Sequence, residues 1–133
     1  IEQVPKPPPK ALAMVICDDT IEDRTSGKKT LVGLFNNITA KASPFRHPEM
    51  NIFMVLTNGH GDYEARLKCL KEDNQPVVDL SGHIHFPDPN AIVEFNFELL
   101  GLAFPSHGIY RFEFYCDEVP VISRKFMVSK PQG

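Results

Sequence analysis

Residues 62–86 read DYEARLKCLKEDNQPVVDLSGHIHF, and this stretch decides the fold class. Over residues 62–71 apolar and polar side chains alternate, with Tyr63 and Leu67 among those on the apolar side. The turn formers EDNQP follow, and a second alternating run occupies residues 77–86. A two-residue period places alternate side chains on opposite faces of a strand. The stretch therefore predicts two β-strands joined by a turn.

The same period recurs along the chain and, together with a continuous apolar run at 50–58, predicts eight strands, separated by Gly, Pro, Asn and Asp. Alternation makes one face of a sheet apolar, and that face needs a second sheet to cover it. We therefore expect an all-β fold, a two-layer antiparallel β-sandwich of about eight strands with an immunoglobulin-like or C2-like arrangement. The strands are expected at residues 11–17, 30–38, 50–58, 62–71, 77–86, 92–102, 109–116 and 119–128.

Length and charge restrict the class of protein. The chain has 133 residues, which fits one domain. It carries 14 basic and 17 acidic residues, for a net charge of −3. Because nucleic-acid binding needs a dense cationic surface, no nucleic-acid partner is expected. No apolar run approaches the roughly 20 residues that cross a membrane, so no membrane partner is expected either.

The two ends of the chain differ from its middle in composition. Residues 1–10, IEQVPKPPPK, are expected to form a proline-rich extended arm, and a ligand for a proline-reading domain is the alternative. The expected domain covers residues 11–128, and residues 129–133 are expected to be a flexible tail. The arm lacks the apolar core of a secretion signal, but the chain begins without Met, so a targeting segment before Ile1 stays open.

Three cysteines, Cys17, Cys69 and Cys116, lie in or beside apolar strand-like runs. An odd number without a CxxC pair does not fit a secreted disulfide framework. We expect three buried, reduced thiols that act as small hydrophobic side chains. A reducing, cytoplasmic compartment follows from that expectation.

Several short motifs are similar to those of a known protein family. They are ALAMVICDD at 11–19, Gly-Lys at 27–28, LVGLF at 31–35, GIYRF at 108–112 and KFMV at 125–128. Together they resemble an uncharacterised bacterial family of small, single-domain β-sandwich proteins. The resemblance implies a fold, and no catalytic residues are implied because that family has no assigned activity.

Two histidines could form part of a zinc site. His83 and His85 are two residues apart, so they share one face of the strand at 77–86. If this strand and the next, at 92–102, form an in-phase hairpin, Glu94 lies across from His85. Two imidazoles and one carboxylate are typical transition-metal ligands. A solvent-facing cross-strand His–Glu pair is the alternative interpretation.

Acidic residues in the predicted connections could bind calcium. If successive strands simply alternate in direction, every second connection lies at the same end of the sandwich. Calcium takes about six to eight oxygen ligands, which several loops can supply. The candidate ligands at that end are Asp18, Asp19, Asp62, Asp88 and Asp117. The alternative is that these residues cap backbone N–H groups in turns, which is a common role of Asp.

Catalytic signatures are missing from the sequence, which contains no GxSxG, HExxH or P-loop motif. We therefore expect neither an enzyme nor a cofactor. The primary hypothesis is a non-catalytic interaction or scaffold module that acts through loops or a sheet edge. Main-chain pairing at an open edge would join it to a protein partner or to a second copy in a homodimer. The alternative hypothesis is a calcium-dependent binding module.

Overall fold

The computed structural model describes residues 6–132. Over that range the chain forms nine β-strands and no helix, so no helix there could cross a membrane. This confirms the all-β prediction. The strands are β1 (Lys10–Glu22), β2 (Lys29–Leu34), β3 (Asn37–Thr39), β4 (Phe45–Thr57), β5 (Gly61–Lys71), β6 (Pro76–Phe86), β7 (Val93–Phe104), β8 (Gly108–Cys116) and β9 (Val119–Ser129).

The strands form two sheets that enclose the core between them. One sheet has the order β2-β1-β4-β7, and the other has the order β3-β9-β8-β5-β6. The predicted two-layer β-sandwich is confirmed. Neighbouring strands are antiparallel except β3 and β9, which run parallel. The expectation of eight strands, all antiparallel, was therefore one strand short and missed the parallel pair.

The extra strand arises within residues 30–38, where one continuous strand was expected. The chain leaves the first sheet after β2 and joins the second sheet as β3. Gly33 allows this crossover because its φ of 71° is in the left-handed region that favours glycine. The Phe35 N–H donates to a β1 carbonyl at 3.1 Å, and the Asn36 carbonyl accepts from a β9 N–H at 3.0 Å. The crossover is thus bonded to both sheets.

Strand β1 is longer than expected, because the prediction ended it at Cys17. Its second half pairs with β2 instead of with β4, in a register that places Thr20 opposite Leu31 and Glu22 opposite Lys29. The Lys29 Nζ lies 3.1 Å from the Glu22 carboxylate. This half carries polar residues because it forms a two-stranded ribbon with mostly exposed side chains.

The predicted apolar faces form the core. Rings dominate its centre, where Phe112 and Phe126 stack with their centroids 5.0 Å apart. At the edge of the core, Val78 and Leu80 are half-buried. The alternation of residues 62–71 is confirmed, since the buried side chains of β5 are Tyr63, Ala65, Leu67 and Cys69.

Tyr110 supports the immunoglobulin-like arrangement. Its side chain is fully buried, and its hydroxyl donates to the Ser106 carbonyl, four residues earlier, at 2.5 Å. This geometry is that of the tyrosine corner of immunoglobulin-like sandwiches. Strands β1, β4 and β7 share one sheet and β5, β8 and β9 the other, as strands A, B, E and C, F, G do in that fold.

The expected arm at 1–10 and tail at 129–133 fall partly outside the described residues, which exclude 1–5 and 133. Within the described part, Pro9 is buried and the Tyr63 hydroxyl donates to the Pro7 carbonyl at 2.7 Å. This part of the arm therefore packs against β5.

Candidate functional site

His83 and His85 share the outer face of β6, as expected, but their carboxylate partner is not Glu94. Strand β6 pairs with β5, and the register places His85 opposite Asp62. Strand β7 belongs to the other sheet, where Glu94 is opposite Val55 on β4. The predicted hairpin is wrong because the connection after Phe86 crosses between the sheets. Alternation alone does not distinguish a hairpin from such a crossover, since both keep the apolar faces inward.

Asp62 joins the two imidazoles. Its Oδ1 atom lies 2.9 Å from His85 Nδ1 and 3.0 Å from His83 Nε2. A carboxylate only accepts hydrogen bonds, so His85 Nδ1 must carry the proton. This hydrogen bond, with smaller contributions from the positive charges of His83 and Lys6, lowers the pKa of Asp62.

The arrangement is a hydrogen-bonded surface cluster. Across residues 6–132, no group of three or more His, Cys, Asp or Glu side chains is placed to hold a metal ion. The side chains of His83, His85 and Asp62 are each more than half exposed, at 67%, 58% and 62%. Both imidazoles contact the same oxygen of Asp62.

The expected grouping of calcium ligands is wrong for Asp18 and Asp19. Asp62, at the start of β5, and the connections that hold Asp88 and Asp117 lie at one end of the sandwich, where Lys10 pairs with Thr57. Asp18 and Asp19 lie beyond Cys17 on β1, toward the opposite end. The cause is β3, because this unpredicted strand adds one reversal of direction. The β1–β2 connection therefore lies at the opposite end from the β4–β5, β6–β7 and β8–β9 connections.

Asp88 and Asp117, two of the acidic residues at the same end as Asp62, have turn roles. The Asp88 carboxylate accepts from the Asn90 N–H at 2.8 Å. Asp117 and Glu118 have φ angles of 48° and 67° and form the two-residue turn between β8 and β9. Positive φ at both central positions is the pattern of a type I′ hairpin turn. These contacts are the turn roles considered for Asp from the sequence.

The three cysteines are free and buried, as expected. Burial raises the pKa of the Cys69 and Cys116 thiols to about 12. Burial also raises the pKa of Cys17. Because a thiolate is the reactive form, these side chains are placed as inert core residues.

A surface depression of about 460 Å³ adjoins the crossover from β2 to β3. Phe35, Phe45 and His47 line it, with the His47 ring centroid 5.7 Å from that of Phe35 and 6.1 Å from that of Phe45. These rings pack on one another, and the Asp18 carboxylate lies against Gly33. The depression is thus lined by side chains that stabilise the crossover.

The feature that the sequence did not reveal is the open edge of β6. This strand ends the five-stranded sheet, so one edge has no neighbouring strand among the described residues. Glu64 on β5 establishes which backbone groups face that edge. Its N–H donates to the Asp117 carboxylate at 2.8 Å, and its carbonyl accepts from the Asp117 N–H at 2.9 Å. Glu64 therefore bonds toward β8 and away from its β6 neighbour, His83.

Antiparallel pairs alternate between hydrogen-bonded and non-hydrogen-bonded residues. Because Glu64 and His83 are a non-hydrogen-bonded pair, the even-numbered residues of β6 bond to β5. The odd-numbered ones direct both N–H and C=O to the open edge. The register is regular from Val78 to Phe86. The edge-facing residues of that stretch are Asp79, Ser81, His83 and His85.

The sequence of this sandwich matches the model of a known family. The matching family model covers residues 12–129, nearly all of the sandwich. The chain belongs to DUF6941, a family of unknown function. The resemblance to an uncharacterised family of small single-domain proteins is thereby confirmed, and a bacterial origin stays a prediction. No curated protein matches this DUF6941 chain.

Proposed function

We propose that this DUF6941 protein is a non-catalytic binding module whose binding element is the open edge of β6. The observation that carries the proposal is the row of backbone groups at 79, 81, 83 and 85 that point away from β5. An extended partner segment can bond to such a row and become an additional strand.

The side chains along this edge support the same function. On the outer face, Asp79, His83 and His85 are exposed beside the open edge and can select a partner by charge. On the inner face, Val78 and Leu80 are half-buried and pack against the core. An added strand would cover these two side chains and remove their apolar surface from water.

Other edges of the sandwich are shorter or irregular. Strand β3 has 3 residues and β2 has 6, whereas β6 has 11. Strand β7 has 12 residues, but the alternation of its side chains is broken at Gly101, which has a φ of 64°. Natural proteins protect open edges with short strands, bulges, Pro or Lys. Residues 78–86 contain neither Pro nor Lys. This stretch is therefore the best-preserved pairing edge.

The test compares Ser81→Pro with Ser81→Ala. Proline removes an N–H that has no partner in the sheet, so the fold is retained, whereas alanine removes only the hydroxyl. A displayed library of 11-residue peptides, matching the length of β6, is selected against the wild-type protein. We expect selected peptides to bind Ser81→Ala like wild type and to bind Ser81→Pro at least about tenfold more weakly.

Hydrogen exchange gives a readout that does not depend on the proline variant folding. On peptide binding, the amides of Ser81 and His83 should become protected, while those of Leu80 and Gly82, already bonded to β5, should change little. Peptides that bind Ser81→Pro like wild type would count against the proposal, and so would a library without binders for a monomeric wild-type protein.

We also propose a reducing, cytoplasmic location, supported by the three free cysteines. Thiol titration of the unfolded, non-reduced protein should find all three free. Finding only one free thiol would oppose this location.

A further inference from the structure

We infer that the strand that adds to β6 is β6 of a second copy, paired antiparallel about a two-fold axis at Gly82. This inference rests on the proposed function, because it names the partner of the same edge. The two five-stranded sheets would then form one continuous sheet across the dimer.

The backbone favours this axis. Gly82 is the midpoint of the regular stretch from Val78 to Phe86, so pairing about it uses the whole stretch. Edge-facing residues then meet edge-facing residues, Asp79 opposite His85 and Ser81 opposite His83. A one-residue slip would place edge-facing groups opposite groups already bonded to β5, so it is excluded by the phase of the strand.

The side chains are self-complementary in the same register. Asp79 of each copy faces His85 of the other, and the symmetry gives this acid–base pair twice. The Asp79 carboxylate is held in place by Arg66, whose Nε and Nη2 lie 2.7 and 2.6 Å from its oxygens. His85 donates from Nδ1 to Asp62, which leaves Nε2 for the second copy, where it can donate to Asp79 when the ring carries both protons.

The inner face is complementary as well. Leu80 of one copy would lie opposite Ile84 of the other, and Val78 opposite Phe86. Gly82 would meet Gly82 at the axis, where non-hydrogen-bonded residues come closest, at about 4.5 Å between Cα atoms. Opposed apolar side chains continue the core across the interface.

Disulfide trapping tests the register. Residues 81 and 83 would be a hydrogen-bonded pair across the interface, with Cα atoms about 5.5 Å apart, which a disulfide can span. An oxidised mixture of Ser81→Cys and His83→Cys should yield a cross-linked heterodimer, whereas Ser81→Cys alone should not. The native thiols are buried and serve as an internal background. Efficient self-linking of Ser81→Cys would overturn the axis at Gly82.

Charge exchange tests the pair itself by sedimentation velocity. Wild type should dimerise with rising protein concentration. His85→Glu should weaken self-association by about tenfold or more, because it places two carboxylates opposite one another in both pairs. Asp79→Lys should also weaken self-association, because it removes the carboxylate of both pairs. An equimolar mixture of the two variants should dimerise again, since Lys meets Glu and Asp meets His.

His60→Glu is the matched control, because His60 is exposed in the connection between β4 and β5 and lies outside the β6 edge. It should dimerise like wild type, and its thermal melt reports the cost of a new surface acid. A wild-type monomer up to about 1 mM without cross-linking would overturn the inference. If peptides still bind that monomer and Ser81→Pro weakens their binding, the proposed function is retained and only the homodimer is rejected. If they do not, both fail.

Discussion

Asp62 is the residue at which two groups from separate predicted sites meet. It stands in the expected calcium set, and His83 and His85 stand in the expected zinc set. The register of β5 and β6 places the three together. The identity of each residue is local information, but the contact depends on which strands are neighbours.

Replacing His85 by Ala should leave the free energy of unfolding within about 0.5 kcal/mol of wild type, because the side chain is 58% exposed. The hydrogen bond that lowers the pKa of Asp62 is lost, so that pKa should rise toward its ordinary value. Urea denaturation and an NMR titration of the Asp62 carboxyl measure the two effects. A stability loss above about 2 kcal/mol would show a buried role for His85.

Tyr110 combines core packing with the corner hydrogen bond. Tyr110→Ala should cost about 3–5 kcal/mol of unfolding free energy, because a fully buried ring is removed. Tyr110→Phe keeps the ring and removes the bond to Ser106, so it should cost only about 1–2 kcal/mol. Chemical denaturation of both variants measures the difference. A loss below about 1 kcal/mol for Tyr110→Ala would contradict the packing shown here.

Among the secondary-structure elements, the crossover from β2 to β3 decides the topology. Apolar residues occur throughout residues 30–38, and the sequence therefore predicted a single strand there. The break depends on Gly33 and on bonds to β1 and β9, which are distant in sequence. The other strands were predicted with the correct type because most of them alternate, and β4 was predicted from its continuous apolar run.

Gly33→Ala tests the crossover. An added Cβ would overlap the Asp18 carboxylate, in addition to the strain of a φ of 71°. Gly27→Ala is the matched control, with a φ of 72° and its nearest neighbour, a Glu22 oxygen, at 3.8 Å. The control should cost about 1–2 kcal/mol, and Gly33→Ala should cost more.

Urea denaturation measures both glycine variants. In the double variant Asp18→Ala/Gly33→Ala, the part of the cost due to the Asp18 contact should be recovered, and the backbone strain should remain. Equal losses for the two single glycine variants would show that the contact with Asp18 has no energetic role.

At the scale of the whole molecule, ion pairs on the five-stranded sheet make stability depend on pH. A hydrogen bond from Arg66 lowers the pKa of Asp79, and one from Arg111 lowers the pKa of Glu113. Carboxyl groups whose pKa is lower in the folded protein stabilise it above their ordinary values, near 4. That stabilisation is lost as the pH falls through the folded pKa values.

The urea midpoint should therefore be similar at pH 7 and pH 5 and fall at pH 3. Glu113→Gln removes one of the responsible groups, so its midpoint should fall less between pH 5 and pH 3 than that of wild type. A midpoint that stays constant or rises at pH 3 would contradict this account.

The sequence alone determined the strand content, the inward side chains, the burial of the three thiols and the sandwich. Each depends on a two-residue period or on apolar composition, which are local properties of the chain. The tertiary structure alone decided that β7 pairs with β4 in the other sheet and not with β6, that Asp18 lies far from Asp62, and that β6 has an open edge. Those outcomes depend on the direction and pairing of strands, which long-range packing sets and a local pattern does not encode.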